Sequence, residues 1–85
     1  MTIELLYFAW VRERVGKASE TVSPPAEVTS VAELIDWLAR ESAVHADAFA
    51  DLGRLRAAID QTFVPLDAPL GDAREVAIFP PVTGG

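Results

Sequence analysis

The chain has no cysteine, one histidine and one tyrosine among its 85 residues. The first absence excludes disulfides, thiolate-held metals and cysteine nucleophiles, so any sulfur this protein handles is attached to something other than a side-chain thiol. With His45 and Tyr7 each alone of their kind, proton-transfer groups reduce to scattered acids. No Ser-His-Asp arrangement, no pair of carboxylates at helical spacing beside a pocket and no glycine-rich phosphate loop can be drawn from the sequence. His45 has no second histidine or cysteine near it, so a surface or capping histidine is expected rather than a metal ligand. Long apolar runs are missing too. Nothing approaches the ~20 residues that span a bilayer, and Met1-Thr2-Ile3-Glu4 lacks the basic start of a secretion signal, so a cytoplasmic protein with no membrane contact is expected. Basic side chains are scarce, seven against thirteen acidic, for a formal net charge of -6. Nucleic acid needs a concentrated basic footprint and is not an expected partner, whereas an acidic surface suits a basic docking face on another protein.

What is present is the composition of one small folded domain: 51% hydrophobic and 24% charged residues, spread along the chain. Such a length allows a single modest core and little room for a buried catalytic cleft, which favours a helper or binding role. Ile3-Glu4-Leu5-Leu6-Tyr7-Phe8 is β-rich, with Ile3, Leu5 and Tyr7 on one face and Leu6 and Phe8 on the other. Residues 9–16 have no clean period and end at a glycine, so they read as a connection with at most one helical turn. Within it Trp10 is placed at the core edge, a partner interface being the alternative. Ala18-Ser19-Glu20-Thr21-Val22 is a second strand, closing a hairpin with the first and ended by Pro24-Pro25.

Ser30 and Glu33 make a capping box, and Val31, Leu34, Ile35 and Leu38 recur at the spacing of one buried helical stripe, with Trp37 at its flank. Residues 42–53 are the least legible part; Ala46, Phe49, Ala50 and Leu52 allow a short amphipathic helix or an insertion packed through Phe49. Residues 55–59 and 62–64 flank Asp60-Gln61 as a tight hairpin. After a turn-rich crossover anchored by Leu66 and Leu70, Glu75-Val76-Ala77-Ile78-Phe79 alternates as a last strand with Val76 and Ile78 inward. The expected architecture is α+β: a small mixed sheet packed on one main helix, with the first and last strands side by side and parallel at its centre. The expected division is a domain over residues 1–79 and an extended tail over residues 80–85.

The tail, Pro80-Pro81-Val82-Thr83-Gly84-Gly85, is the most informative stretch. Two prolines remove backbone donors and hold φ near the polyproline II value, so the chain stops pairing and projects. Gly84 and Gly85 strip the tip of side chains, which suits a carboxylate that must enter a narrow site. Pro80 to Gly85 at roughly 3.1 to 3.3 Å each would reach about 20 Å. The reactive group is the carboxylate of Gly85. Ionised at neutral pH, it does acyl chemistry only after conversion to a better leaving group, as by adenylation with ATP on a partner.

Tyr7-Phe8-Ala9 with Arg12-Glu13, the Asp60-Gln61 hairpin, Glu75-Val76-Ala77 and above all Phe79-Pro80-Pro81-Val82-Thr83-Gly84-Gly85 resemble the small, sulfur-carrying subunit of molybdopterin synthase. Asp60 stands where that family commonly has Asn, and Thr83 where Ser is common. The resemblance implies a β-grasp, ubiquitin-like fold. It also implies that Gly85, with Gly84 before it, is adenylated by an activating enzyme, converted to a thiocarboxylate by a sulfur donor system and inserted into the large synthase subunit of a heterotetramer. There the sulfur passes to cyclic pyranopterin monophosphate. The chain is then not catalytic alone and binds no cofactor or metal of its own; ATP belongs to the activating partner. Phe8, Phe79, Pro80, Pro81, Val82 and Thr83 are the expected interface, with Phe8 and Phe79 forming a shared exposed aromatic patch. Sulfur carriers of thiamine synthesis or other ubiquitin-like pathways share the double glycine, and a purely structural binding module is the further alternative.

Overall fold

The computed structural model describes residues 1–81. Alternation sets the first strand: in β1 (Ile3–Tyr7) Ile3, Leu5 and Tyr7 are buried while Glu4 and Leu6 turn to the other face. β2 (Ser19–Val22) returns antiparallel along one side, with Ile3 opposite Val22 and Leu6 opposite Ser19. β5 (Glu75–Phe79) runs parallel along the other side, with Leu5 beside Val76 and Tyr7 beside Ile78. β3 (Arg56–Ile59) lies antiparallel to β5, and β4 (Thr62–Val64) completes the five-stranded order β2-β1-β5-β3-β4. The parallel central pair is as expected from the two apolar segments, and the whole is an α+β, β-grasp sheet.

The β3–β4 turn places both Asp60 (φ 47°) and Gln61 (φ 72°) in the left-handed region, the requirement of a two-residue type I′ hairpin. Asp60 does more than turn the chain. Its Oδ1 accepts hydrogen bonds from the backbone N–H groups of Arg74 (3.1 Å) and Glu75 (3.0 Å), which fixes the start of β5 against the hairpin.

The long helix α2 (Val31–Glu41) buries Val31, Leu34, Ile35 and Leu38. Ser30 Oγ accepts from the Glu33 backbone N–H at 3.1 Å, as the capping box requires. The Glu33 carboxylate reaches one residue further back than the box predicts: Oε1 accepts from the Thr29 N–H at 2.9 Å and from its hydroxyl at 2.8 Å. Those bonds, the backbone one foremost, hold Glu33 below the usual carboxylate range.

Three expectations are corrected. Residues 9–16 are no mere connection: α1 (Ala9–Val15) makes seven residues of helix, ended by Gly16 at φ 89°, whose N–H donates to the Arg12 carbonyl at 2.9 Å. It has no side-chain cap at Phe8 and buries only Val11 and Val15, so neither a cap nor a period announces it; tertiary packing makes it. The second concerns the buried stripe of residues 42–53, beside the expected main helix α2. α3 (Ala43–Ala48) and a 3-10 turn (Leu52–Arg54) fill the illegible segment, and residues from α1, α2 and α3 share one core cluster with the sheet. Of the expected stripe there, Phe49 is buried, but Ala46, Ala50 and Leu52 are exposed; the buried set is His45, Ala48 and Phe49.

The third correction is His45, which is not a surface histidine but 8% exposed. Its Nε2 lies 2.6 Å from Glu20 Oε2, the oxygen that also accepts from the Tyr7 hydroxyl at 2.6 Å. An ionised carboxylate only accepts, so Nε2 carries the proton. The Tyr7, His45 and Phe49 rings pack with centroids 5.9 to 6.3 Å apart. This cluster ties β1, β2 and α3 together at the edge of the core. Partial burial works against the Glu20 charge, but the hydrogen bonds from Tyr7 and His45, with the His45 and Lys17 charges, outweigh it and lower its pKa. Burial first, then the bond to Glu20, pushes the Tyr7 hydroxyl far up, so it stays a donor.

A carboxylate whose pKa is depressed by folding adds stability above its unfolded value, about 4.3 for Glu, and loses that contribution as pH falls through the folded value. Urea denaturation followed from pH 7 to pH 3 should therefore show a loss of stability at the acid end that is smaller in Glu20→Gln than in the parent. Parallel curves for the two proteins would remove Glu20 from the acid response.

Candidate functional site

All three helices lie on one side of the sheet, which leaves the other face open. Strand register aligns Leu6, Ala77, Ala58 and Phe63 in a row across β1, β5, β3 and β4. Leu6, Ala77 and Ala58 face away from the helices, since their strand neighbours Leu5, Val76 and Ala57 belong to the core cluster and they do not, and Phe63 shares the face of Ala58 by register. One step toward the end of β5, Phe79 stands opposite Arg56, and Phe8 follows Tyr7, the partner of Ile78. Phe63 is 76% exposed and Phe8 49%, and the Phe63 and Phe79 rings meet at 5.5 Å.

The two alanines at the centre leave a depression that the aromatic rings rim. The result is a groove of about 730 Å³ lined by Leu6, Phe8, Ala58, Phe63, Ala77 and Phe79, with Pro80 and Pro81 on its wall. Contiguous apolar surface of this kind marks an interaction site in a folded protein. Its fringe is charged: Glu4 lies beside Glu75 in the parallel register at one end, and Arg56 lies beside Phe79 at the other.

Backbone geometry at the top of β1 helps form the groove. Ala9 has φ 52°, a left-handed conformation that costs an ordinary residue about 1 to 2 kcal/mol. It turns the chain from β1 into α1 directly after Phe8, which extended alternation has already set on the open face opposite Tyr7. The Phe8 N–H still donates to the Ile78 carbonyl at 3.4 Å, so Phe8 remains anchored to β5.

The structure thus brings Phe8, Phe79, Pro80 and Pro81 to one surface, as the alternation of the two strands predicts. Val82, Thr83, Gly84 and Gly85 lie outside the described residues. Sequence reading missed Phe63, the most exposed large side chain of the groove, because a three-residue strand does not declare which way it faces; the Asp60-Gln61 turn, by fixing register with β3, was the available signal. Ala58 and Ala77 were missed because small residues on a strand carry no pattern of their own. Trp10 takes the core edge, half-buried against the cluster. Among the described residues no group of three His, Asp or Glu side chains is placed to hold a metal, and no helix is long and apolar enough to cross a membrane.

Comparison with known proteins gives a consistent picture. The model of the ThiS family matches residues 5–85. The molybdopterin synthase sulfur carrier subunit of Escherichia coli is 47% identical over 83 residues, covering 98% of this chain and 99% of that protein. Among solved structures, a candidate molybdopterin converting factor subunit 1 from Pyrococcus furiosus superimposes with a TM-score of 0.74 at 26% identity, covering 96% of this chain and 99% of the other. The complex of subunits 1 and 2 of the molybdopterin-converting factor from Helicobacter pylori contains a chain that matches with a TM-score of 0.62, each chain covered in full; at 21% identity that likeness is one of fold.

The two faces of the sheet should respond differently to substitution. Phe63→Ser, on the open face, should cost less than about 1 kcal/mol in chemical denaturation, the scale of a lost cross-strand pair. Leu5→Ala, on the core face, should cost about 2 to 5 kcal/mol. Comparable losses in the two variants would mean that Phe63 is part of the structural core after all.

Proposed function

Because the chain belongs to the ThiS family, and within it to the sulfur-carrying small subunits of molybdopterin synthase, we propose that it works by lending the carboxylate of Gly85 to sites on other proteins. The observation that carries this reading is the open apolar face that ends at Pro80 and Pro81. A partner that covers the groove is positioned to take up the residues that follow. Burying the Phe8, Phe63 and Phe79 rings supplies the docking energy, which leaves the terminal glycines free of any binding side chain.

The chemistry runs in three steps. An activating enzyme joins the Gly85 carboxylate oxygen to the α-phosphorus of ATP, and pyrophosphate leaves. A sulfur donor system attacks the resulting acyl adenylate, AMP leaves as the stable anion, and the terminus becomes a thiocarboxylate. The large synthase subunit then receives the tail and directs its sulfur onto cyclic pyranopterin monophosphate; hydrolysis returns the carboxylate, and two such transfers complete the dithiolene. Two copies of each subunit form the working heterotetramer. This chain's own residues contribute position: Pro80 and Pro81 reduce the entropy lost when the tail is fixed, and Gly84 and Gly85 permit a narrow channel.

Two measurements test the reading. After incubation with ATP, the activating enzyme and a sulfur donor, intact mass should rise by about 16 Da, one oxygen replaced by sulfur at an acyl group. Deletion of Gly85 should abolish that gain while leaving the thermal unfolding midpoint unchanged; a truncated chain that still gains the mass would defeat the proposal. Phe63→Ser and Phe8→Ser should each weaken binding to the large subunit by about tenfold or more, the effect of removing an aromatic anchor. Unchanged affinity in both variants would take the groove out of the interface.

A further inference from the structure

The chain is acidic overall, yet its cations are not spent on its acids. Of the lysine and arginine side chains among the described residues, only Lys17 and Arg40 form ion pairs with carboxylates, to Glu20 and Asp36. Arg14 and Arg54 turn instead to Trp10. Their guanidinium carbons lie over the indole at 5.5 and 5.1 Å from its centroid. Trp10 and Arg14 meet because α1 sets them four residues apart on one helical face, and Arg54 arrives from the end of the 3-10 turn. Arg56 follows two residues later, on the open face opposite Phe79, with its Nη1 donating to the Gly53 and Leu55 carbonyls.

This arrangement has two physical consequences. Both guanidinium groups are held around one ring, at roughly a Debye length or less from each other, about 10 Å at 0.1 M salt, so their repulsion is only partly screened. Stacking uses the face of a guanidinium and leaves its in-plane N–H groups available, and it takes up the rotamer freedom that a loose arginine would lose on binding. The result is a pre-ordered pair of forks with no carboxylate ion-paired to them among the described residues. Trp10 is the residue after Ala9, itself on the groove wall, and Arg56 adjoins Phe79, so the cationic group is continuous with the rim at the end from which Pro80 and Pro81 leave.

We propose that Arg14 and Arg54, stacked on Trp10 and joined by Arg56, form a second docking element that takes carboxylate side chains of an acidic segment on the large synthase subunit. The proposal rests on the sulfur-carrier reading and adds the charge of the partner surface to it. The groove supplies apolar area without direction. The arginine forks supply orientation, because a planar donor pair meets a carboxylate in one geometry, and they raise the association rate at low salt. The acidic remainder of the chain, including the Glu4–Glu75 pair at the opposite end of the open face, repels the same segment and disfavours the reversed pose.

The test is binding of the full-length chain to the large subunit at 50 and 300 mM salt, with thermal unfolding of each variant as a folding control. Arg14→Gln with Arg54→Gln should weaken binding on the order of tenfold at low salt and flatten its salt dependence, while Phe63→Ser weakens binding but keeps the parent's salt dependence. Arg14→Lys with Arg54→Lys should keep the salt dependence and recover only part of the affinity, since an ammonium cannot reproduce the fork. If the glutamine pair matches the parent in affinity and salt response while Phe63→Ser still weakens binding, the docking element is wrong and the sulfur-carrier reading survives. If the parent itself fails to bind the large subunit, the sulfur-carrier reading fails and this proposal with it. A dimer of the free chain that the glutamine pair disperses would overturn the proposal in favour of self-association.

Discussion

The hydrogen bonding of β1 to β5 in parallel is the constraint from which the rest of the structure follows. Parallel neighbours cannot be joined by a tight turn, so the chain between Tyr7 and Glu75 has to travel back along the sheet, and it does so through the helices that separate β1 from β2 and β2 from β3 and through the two outer strand pairings. That path carries all three helices and brings them to the same side, where Ile3, Leu5, Val76 and Ile78 offer fully buried positions to α2. The same pairing aligns the ends of the two strands, and so brings Phe8 and Phe79 to one end of the uncovered face. Core and apolar groove are thus opposite sides of one pair of strands.

The two sides are stabilised by different physics. The core side buries aliphatic residues and needs little polar bonding, apart from the Tyr7–Glu20–His45 chain at its edge. That chain is a small network in which one carboxylate oxygen serves two donors from two elements, and it fixes α3 where hydrophobic contacts alone would leave its rotation loosely determined. The open side leaves aromatic area in water and makes no energetic sense for an isolated domain. It makes sense under the docking proposed above, which would cover it.

How much of this was legible depended on whether a residue's role is periodic. Alternation in the first and last strands, the Ser30–Glu33 start of α2 and its stripe from Val31 to Leu38 each state their structure in local terms, and each is found as read. α1 was illegible because only Val11 and Val15 bury and no side chain caps it; packing decides it. His45 was misplaced for a related reason. Its partner Glu20 is 25 residues away, on a different element, and nothing near either residue announces the pairing. On the open face the aromatics flanking the parallel strands were readable by alternation, whereas Phe63 depended on the register of a hairpin and the two alanines on what stands beside them. The family resemblance came from the tail motif, and the fold it implies is the one observed.

Ala58 and Ala77 stand at the middle of the groove, side by side in the β3–β5 register. Its floor is therefore low, two methyl groups beside Leu6, shaped by what these two positions withhold. Methyl groups have no rotamer to reorganise, and the rings at the rim stand on the face away from the interior. Rim and interior are consequently separable in this small domain: one ring or one charge of the former is open to change by itself, while the aliphatic layer underneath stays as it is.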